Sequence, residues 1–207
     1  MSKLVKYFVF IIATGLLLYS SISLEPLDKH KIKQDKNIFS AKDLAANFML
    51  NETSSLPAID ASDFLEGISK NVNEYCSSYG KKLGISSDYN FIIEGIGTVE
   101  SVKEEDVLVS LVNSDKLQIL IATDFIFGNT IRDASGIADI GDFQNTMDFN
   151  NISVELNNIV RETIVPSFKQ KVKEGDTLYF KGAVEVNIKR VNLQKLRVIP
   201  LIVKFNN

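Results

Sequence analysis

The sequence predicts a mainly β, α+β protein: a small, partly open barrel of five curled strands with a helix between the third and fourth. A helical segment precedes the barrel, and a membrane helix precedes that segment. Three observations carry the expectation. From Tyr89 onward apolar residues recur with period two in five runs, and a helical pattern separates the third run from the fourth. The first run contains Gly95 and Gly97, which suit a strand that bulges or bends sharply. Residues 7–24, YFVFIIATGLLLYSSISL, carry no charge and follow Lys3 and Lys6. Three strands, a helix and two strands is the order of the OB-fold. A two-sheet sandwich is the weaker alternative, because it needs seven or more short strands.

The apolar run is intermediate between a signal-peptide core and a full span, and the expectation is an uncleaved anchor. Tyr7, Phe8, Phe10, Ile11, Ile12, Leu16, Leu17 and Leu18 form its hydrocarbon-facing part. Secretion after cleavage near Ser23 is the alternative. Orientation is not dictated by charge, since Lys29, Lys31, Lys33 and Lys36 behind the run outnumber the two lysines ahead of it. Residues 1–36 are thus read as anchor plus charged tether, 37–84 as a helical segment packing on the barrel, and 85–207 as the barrel domain.

Ser40 is placed to cap a helix beginning AKDLAANFM, with Asp43 in its first turn. Phe64, Leu65, Ile68, Val72, Tyr75, Cys76 and Tyr79 make one stripe, predicting a single helix of about four turns that Gly80 stops. The first strand follows, then a turn at KEEDV, then VLVSLVN and KLQILIATDFIF. Ile152, Leu156, Ile159, Val160, Thr163 and Ile164 mark the inserted helix, which Pro166 is expected to end. TLYFKGAVEV and LRVIPLIVKF complete the set, and Pro200 predicts an edge position or a bulge in the last strand.

Composition excludes several classes of chemistry. The chain has 23 Lys and Arg against 26 Asp and Glu, so no broad cationic field draws nucleic acid. The segments VLVSLVN and KLQILIA of the second and third strands also lack the aromatics on which bases stack. A single histidine, His30, and a single cysteine, Cys76, leave zinc sites and histidine-based triads without parts. Cys76 reads as a buried small hydrophobe. No cofactor is expected.

One stretch is chemically dense. Residues 128–151, GNTIRDASGIADIGDFQNTMDFNN, hold four aspartates, four asparagines and one arginine. The plain reading is turns and caps: Gly136 and Gly141 permit positive φ, and Asp142, Asp148, Asn150 or Asn151 is placed to cap a helix starting near Ile152. A calcium loop does not fit, since Ser135, Ile137 and Gln144 fall where oxygen ligands belong when counted from Asp133. The sharper reading is a ligand site of Asn129, Arg132, Asp133, Asp142, Asn145, Asp148 and Asn150, with the arginine fork gripping a hydroxyl-rich or anionic ligand. The competing class is a hydrolase using Asp133, Asp142 or Asp148.

The segment IFGNTIRDASGIADIGDFQNTMDFNNISVELNNIV, with GDTLYFKGAVEVN, LRVIPL and the triplet Pro26-Leu27-Asp28, resembles the predicted periplasmic lipoproteins known as domain of unknown function 2291. The resemblance implies a bacterial cell-envelope protein with an OB-like fold, no established activity, and genes that often neighbour sugar ABC transporters. It carries no catalytic residue over. The expected partners are therefore the membrane, through the N-terminal segment, and an ABC transporter permease or sugar-binding protein. The expected location is the bacterial inner membrane, single-pass, with the C-terminal domain extracytoplasmic. No cysteine directly follows the apolar run, so the lipid acceptor that the word lipoprotein implies is missing.

Overall fold

Ser40 starts the folded region as expected: its hydroxyl oxygen accepts from the Asp43 N–H at 3.1 Å and caps α1 (Ala41–Asn47). The helix widens into a π turn over Phe48–Glu52. Two residues, β1 (Ile59–Asp60), then pair in parallel with the long strand β2 (Asp88–Val102). Asp60 also caps α2 (Ala61–Lys70), accepting from Ser62 N–H at 2.8 Å.

The single long helix predicted next is two helices. Asn71 adopts an extended conformation, ends α2, and accepts from the Glu74 N–H at 3.2 Å to cap α3 (Val72–Tyr79). An asparagine offers the backbone a local bond that competes with helix continuation. Phe64, Leu65, Ile68 and Cys76 are nonetheless buried in one cluster, which is why the stripe looked unbroken. Cys76 is the buried small side chain expected, and burial pushes its thiol up to about 11.

The computed structural model describes Lys3, Val5, Lys6, Tyr7, Phe10, Ile12, Thr14 and Tyr19, and residues 39–112, 117–193 and 196–206. Ser40–Asn207 form one compact unit and Met1–Phe39 another. The eight described N-terminal residues are helical and exposed. Phe8, Ile11, Leu16, Leu17, Leu18, Ser23 and His30 lie outside the described residues, as do the tether lysines. Among the described residues no helix is long and apolar enough to cross a membrane.

β2, β3 (Asp106–Leu111), β4 (Gln118–Ala122), β5 (Thr177–Asn187) and β6 (Arg197–Phe205) form the barrel. The strand order is β2-β3-β4-β6-β5, and β5 returns to β2 to close the ring. Four of these junctions are antiparallel, but β4 and β6 run parallel. Five strands cannot alternate direction all the way round a closed ring, so one parallel pair is forced. The predicted third strand stops at Ala122, and its DFIF tail leaves the sheet.

Gly97 sits where β2 exchanges one neighbour for another, opposite Leu111 on β3 and Leu178 on β5. The bulge itself falls further on, between Val99 and Ser101. The Pro200 expectation holds as a bulge, since the β5–β6 register shifts there and leaves Leu201 without a partner.

Alternate side chains of the strands fill the barrel. Val107, Val109, Leu111, Ile119, Ile121 and Leu178 are buried there, joined by Phe64 and Ile68 from α2. A second core lies outside the wall. There Ala45 and Phe48, together with Ile131, Ile152 and Leu156, cover Ile92, Ala183 and Leu201. Burying a side chain such as Ile152 or Leu156 contributes about 2 kcal/mol.

The helices of this outer layer are α4 (Thr130–Ser135), α5 (Thr146–Ile159), a π turn over Val160–Ile164, and α6 (Val165–Lys169). Pro166 does not end the helical run. It takes the first turn of α6, where the preceding π turn has already widened the backbone and no proline N–H is needed. Of the predicted stripe, Ile152, Leu156 and Val160 are buried, while Thr163 faces solvent.

Candidate functional site

The aspartate- and asparagine-rich stretch is a second helix pair, not a loop. α4 ends at Gly136, which takes a left-handed φ of 72° that a side chain would strain. Gly141 has no positive φ and sits in a short 3-10 turn, Ile140–Asp142, capped by Asp139. α5 begins six residues earlier than predicted, and its cap is Asn145. That side chain accepts from the Asp148 N–H at 2.8 Å and donates from Nδ2 to Asp148 Oδ2 at 2.8 Å. Neither Asp142, Asp148, Asn150 nor Asn151 is the cap; Asp148, Asn150 and Asn151 lie within α5. A cap of this kind stabilises by about 1 kcal/mol.

Arg132 is the main correction to the ligand-site reading. Its side chain is 1% exposed, and the adjacent Asp133 is its partner: Nε donates to Asp133 Oδ1 at 2.8 Å. Nη2 reaches the same oxygen at 2.8 Å, while Nη1 donates to Phe149 O and Asn150 Oδ1, both at 3.2 Å. The guanidinium lies 3.7 Å from the centre of the Phe149 ring. Four of the five guanidinium N–H donors are therefore spent on joining α4 to α5, and at 1% exposure the group does not present itself to a ligand. Asn129, Asp142, Asn145 and Asn150 are exposed, and Asn129 makes no capping bond.

The three aspartates proposed for hydrolysis do not converge on one cleft. Asp133 is held by Arg132, Asp148 by Asn145, and Asp142 stands on the exposed turn. Glu185 is an acid the sequence did not single out. Its residue is exposed on β5, yet partial desolvation of the carboxyl pushes it above the ordinary value, Asp88 and Asp133 add repulsion, and the Thr130 hydroxyl, donating at 3.4 Å, pulls it back. A carboxyl raised on folding contributes stability below its unfolded pKa that is lost as pH rises through the folded value. Relative to Glu185→Gln, the wild-type protein is therefore expected to lose stability as pH rises through that interval. Urea midpoints measured across a pH series check this.

On β2 and β5, Glu94 and Lys181 face each other in register. Lys181 Nζ lies 3.1 Å from Glu94 Oε2 and donates to Leu56 O at 2.8 Å, while Tyr179 OH donates to Glu94 Oε2 at 2.6 Å. Burial raises the Glu94 carboxyl, but Tyr179 and Lys181 outweigh it and hold it below its ordinary value. This network ties the chain between α1 and β1 to the barrel wall; it has no reactive arrangement.

A groove of about 1030 Å³ crosses the outer face of β3 and β4. Half-buried Leu108, Leu117, Leu120 and Leu193 give it an apolar floor. The turn between β2 and β3 forms one rim with Glu104, Glu105 and Asp106. Arg197 braces that turn, donating from Nη2 to Glu105 O at 3.0 Å and to Asp124 O at 2.8 Å. Thr123 Oγ1 and Lys169 Nζ both donate to Glu104 O at 2.9 Å. The rim is thus fixed before anything binds. The sequence placed Leu108 and Leu120 in the second and third strand runs, but could not show that this pair meets a braced turn.

Barrel order and groove together define an OB-fold protein. A solved OB-fold protein from Thermotoga maritima has the same fold, with a TM-score of 0.71 over 81% of this chain and 99% of that one, at 24% identity. The chain belongs to the family of predicted periplasmic lipoproteins, DUF2291, which matches residues 12–204. No curated protein matches it.

Proposed function

We propose that the protein is a membrane-tethered, extracytoplasmic binding module that serves as an accessory to an envelope transporter. It meets that partner through the groove on β3 and β4. The observation that carries this reading is the groove: a leucine floor with a braced polar rim, on the face that OB barrels use for ligands. Leucines walled by a turn rich in carboxylates match a protein surface better than a sugar ring or a nucleic acid. Among the described groove residues there is no aromatic side chain for stacking. The partner is accordingly a protein component, a permease or a sugar-binding protein, and not a free sugar.

The family description supports an extracytoplasmic site. The uncharged run at residues 7–24 supports the tether, and exposed Tyr7, Phe10, Ile12 and Tyr19 lie on its helix. We place the domain outside a single-pass inner-membrane anchor.

Two measurements test this. A photo-crosslinker replacing Leu108 in the full chain, in its own membrane, is expected to capture a transporter component. Leu120→Glu is expected to cut the yield at least tenfold without moving the melting temperature. Capture unchanged by that substitution would remove the groove from the reading. Protease added to intact spheroplasts is expected to digest the barrel; protection would place it in the cytosol.

A further inference from the structure

A second surface carries chemistry that the groove does not use. β6 pairs with β4 only at Arg197 and Val198, so from Ile199 to Phe205 its edge on that side has no strand beside it. Its other edge is paired with β5, and the phase of that ladder is fixed by the Asn206 N–H, which donates to Thr177 O at 2.9 Å. In an antiparallel pair the bonded residues alternate. Lys204 and Ile202 therefore spend their backbone groups on β5, whereas Val203 and Phe205 turn theirs outward. No backbone bond from another described element reaches those two residues.

The outward edge opens into a cleft of about 880 Å³ whose far wall is formed by the π turn before α6 and by α6 itself. Ile164 gives that wall its apolar surface, with Phe168, 2% exposed, packed behind it, and the Phe168 and Phe205 rings lie 6.1 Å apart at the base. Lys171, Lys173 and Lys204 stand exposed around the opening. The only carboxylate among the described lining residues, Asp176, already accepts from the Lys173 N–H at 2.8 Å.

We infer that this cleft is a docking site for an extended, acidic peptide segment of a partner protein, which adds to β6 as a strand along residues 201–205. Five residues of free edge is about the length of an ordinary strand. Outward backbone groups supply the binding and side-chain contacts supply the selection, as in other strand additions. Charge decides the occupant. Three lysines against one carboxylate leave the opening net positive and favour glutamate or aspartate on the incoming strand, and they oppose a second copy of this edge, which would bring lysine against lysine.

The test uses the full chain in mild detergent and a fluorescein-labelled decapeptide alternating valine and glutamate, beside one alternating valine and lysine. Anisotropy is expected to show saturable binding of the glutamate peptide alone, weakening as salt rises. Val203→Pro removes an outward N–H while sparing the ladder to β5, and is expected to weaken binding at least tenfold. Should that variant fold poorly, Lys171→Glu with Lys204→Glu keeps the backbone intact and is expected to reverse the preference toward the lysine peptide. Amide exchange at Val203 and Phe205 is expected to be fast in free protein and slowed by the peptide. Equal binding of both peptides, binding indifferent to these substitutions, or protection of the two amides without peptide would each overturn the inference.

Discussion

Replacing Arg132 with methionine is expected to lower the unfolding free energy by about 3 kcal/mol, because it leaves Asp133 charged and largely buried without its partner. The residue is 1% exposed and joins two helices through Asp133, Phe149 O and Asn150. Its loss releases α4 from α5, and with them the cover over Ile92 and Ala183. Lysine is expected to recover little, since one ammonium cannot fork to three acceptors while stacking on Phe149. Arg132→Met combined with Asp133→Leu is expected to recover part of the loss, because no unpaired charge then remains. Urea denaturation reads all three, as a lower midpoint with an unchanged slope. If Arg132→Met left the midpoint in place while abolishing capture of a partner, the arginine would be a ligand group after all, and the scaffold assignment would fall.

The barrel was legible because its side chains obey one geometric rule. Val107, Val109 and Leu111, or Leu178 and Phe180, point inward every second residue, and burial selects apolar side chains at those positions. The helix pair between Gly128 and Val160 was not legible, because what stabilises it is polar. α4 is six residues long, too short for a stripe, and its largest buried side chain is an arginine. A sequence pattern treats arginine as exposed, yet here the charge is matched at short range and costs little to bury. The start of α5 was hidden for the same reason: Asp148, Asn150 and Asn151 look like loop residues until Asn145 is seen closing the first turn. The groove lies on the solvent side of β3 and β4, where alternation predicts only that residues are not in the core. That outward leucines share a surface with a braced turn depends on barrel closure, a contact between distant parts of the chain.

That closure makes Gly97→Val the second large effect expected. A Cβ at Gly97 would stand 2.4 Å from Val109 Cγ1 and 2.6 Å from the Ser110 carbonyl oxygen, and the oxygen belongs to a backbone already committed to the β3 ladder. One strand must move away, and since β2 holds β3 on one side and β5 on the other at this residue, moving either opens the ring. The cost is about 3 kcal/mol for overpacking a closed wall. A single methyl meets the same atoms, so Gly97→Ala is expected to lose somewhat less but to lose it at the same place. Amide exchange separates this from a general loss of stability. Protection is expected to fall first along residues 97–102 and 107–111, where β2 and β3 meet, and to persist in the Tyr89–Val186 part of the β2–β5 ladder. Because β3 also forms the groove floor, the same variant is expected to release the captured partner even at temperatures where the domain remains folded. Partner capture that survives a locally opened β2–β3 seam would show that binding does not depend on the β3–β4 face.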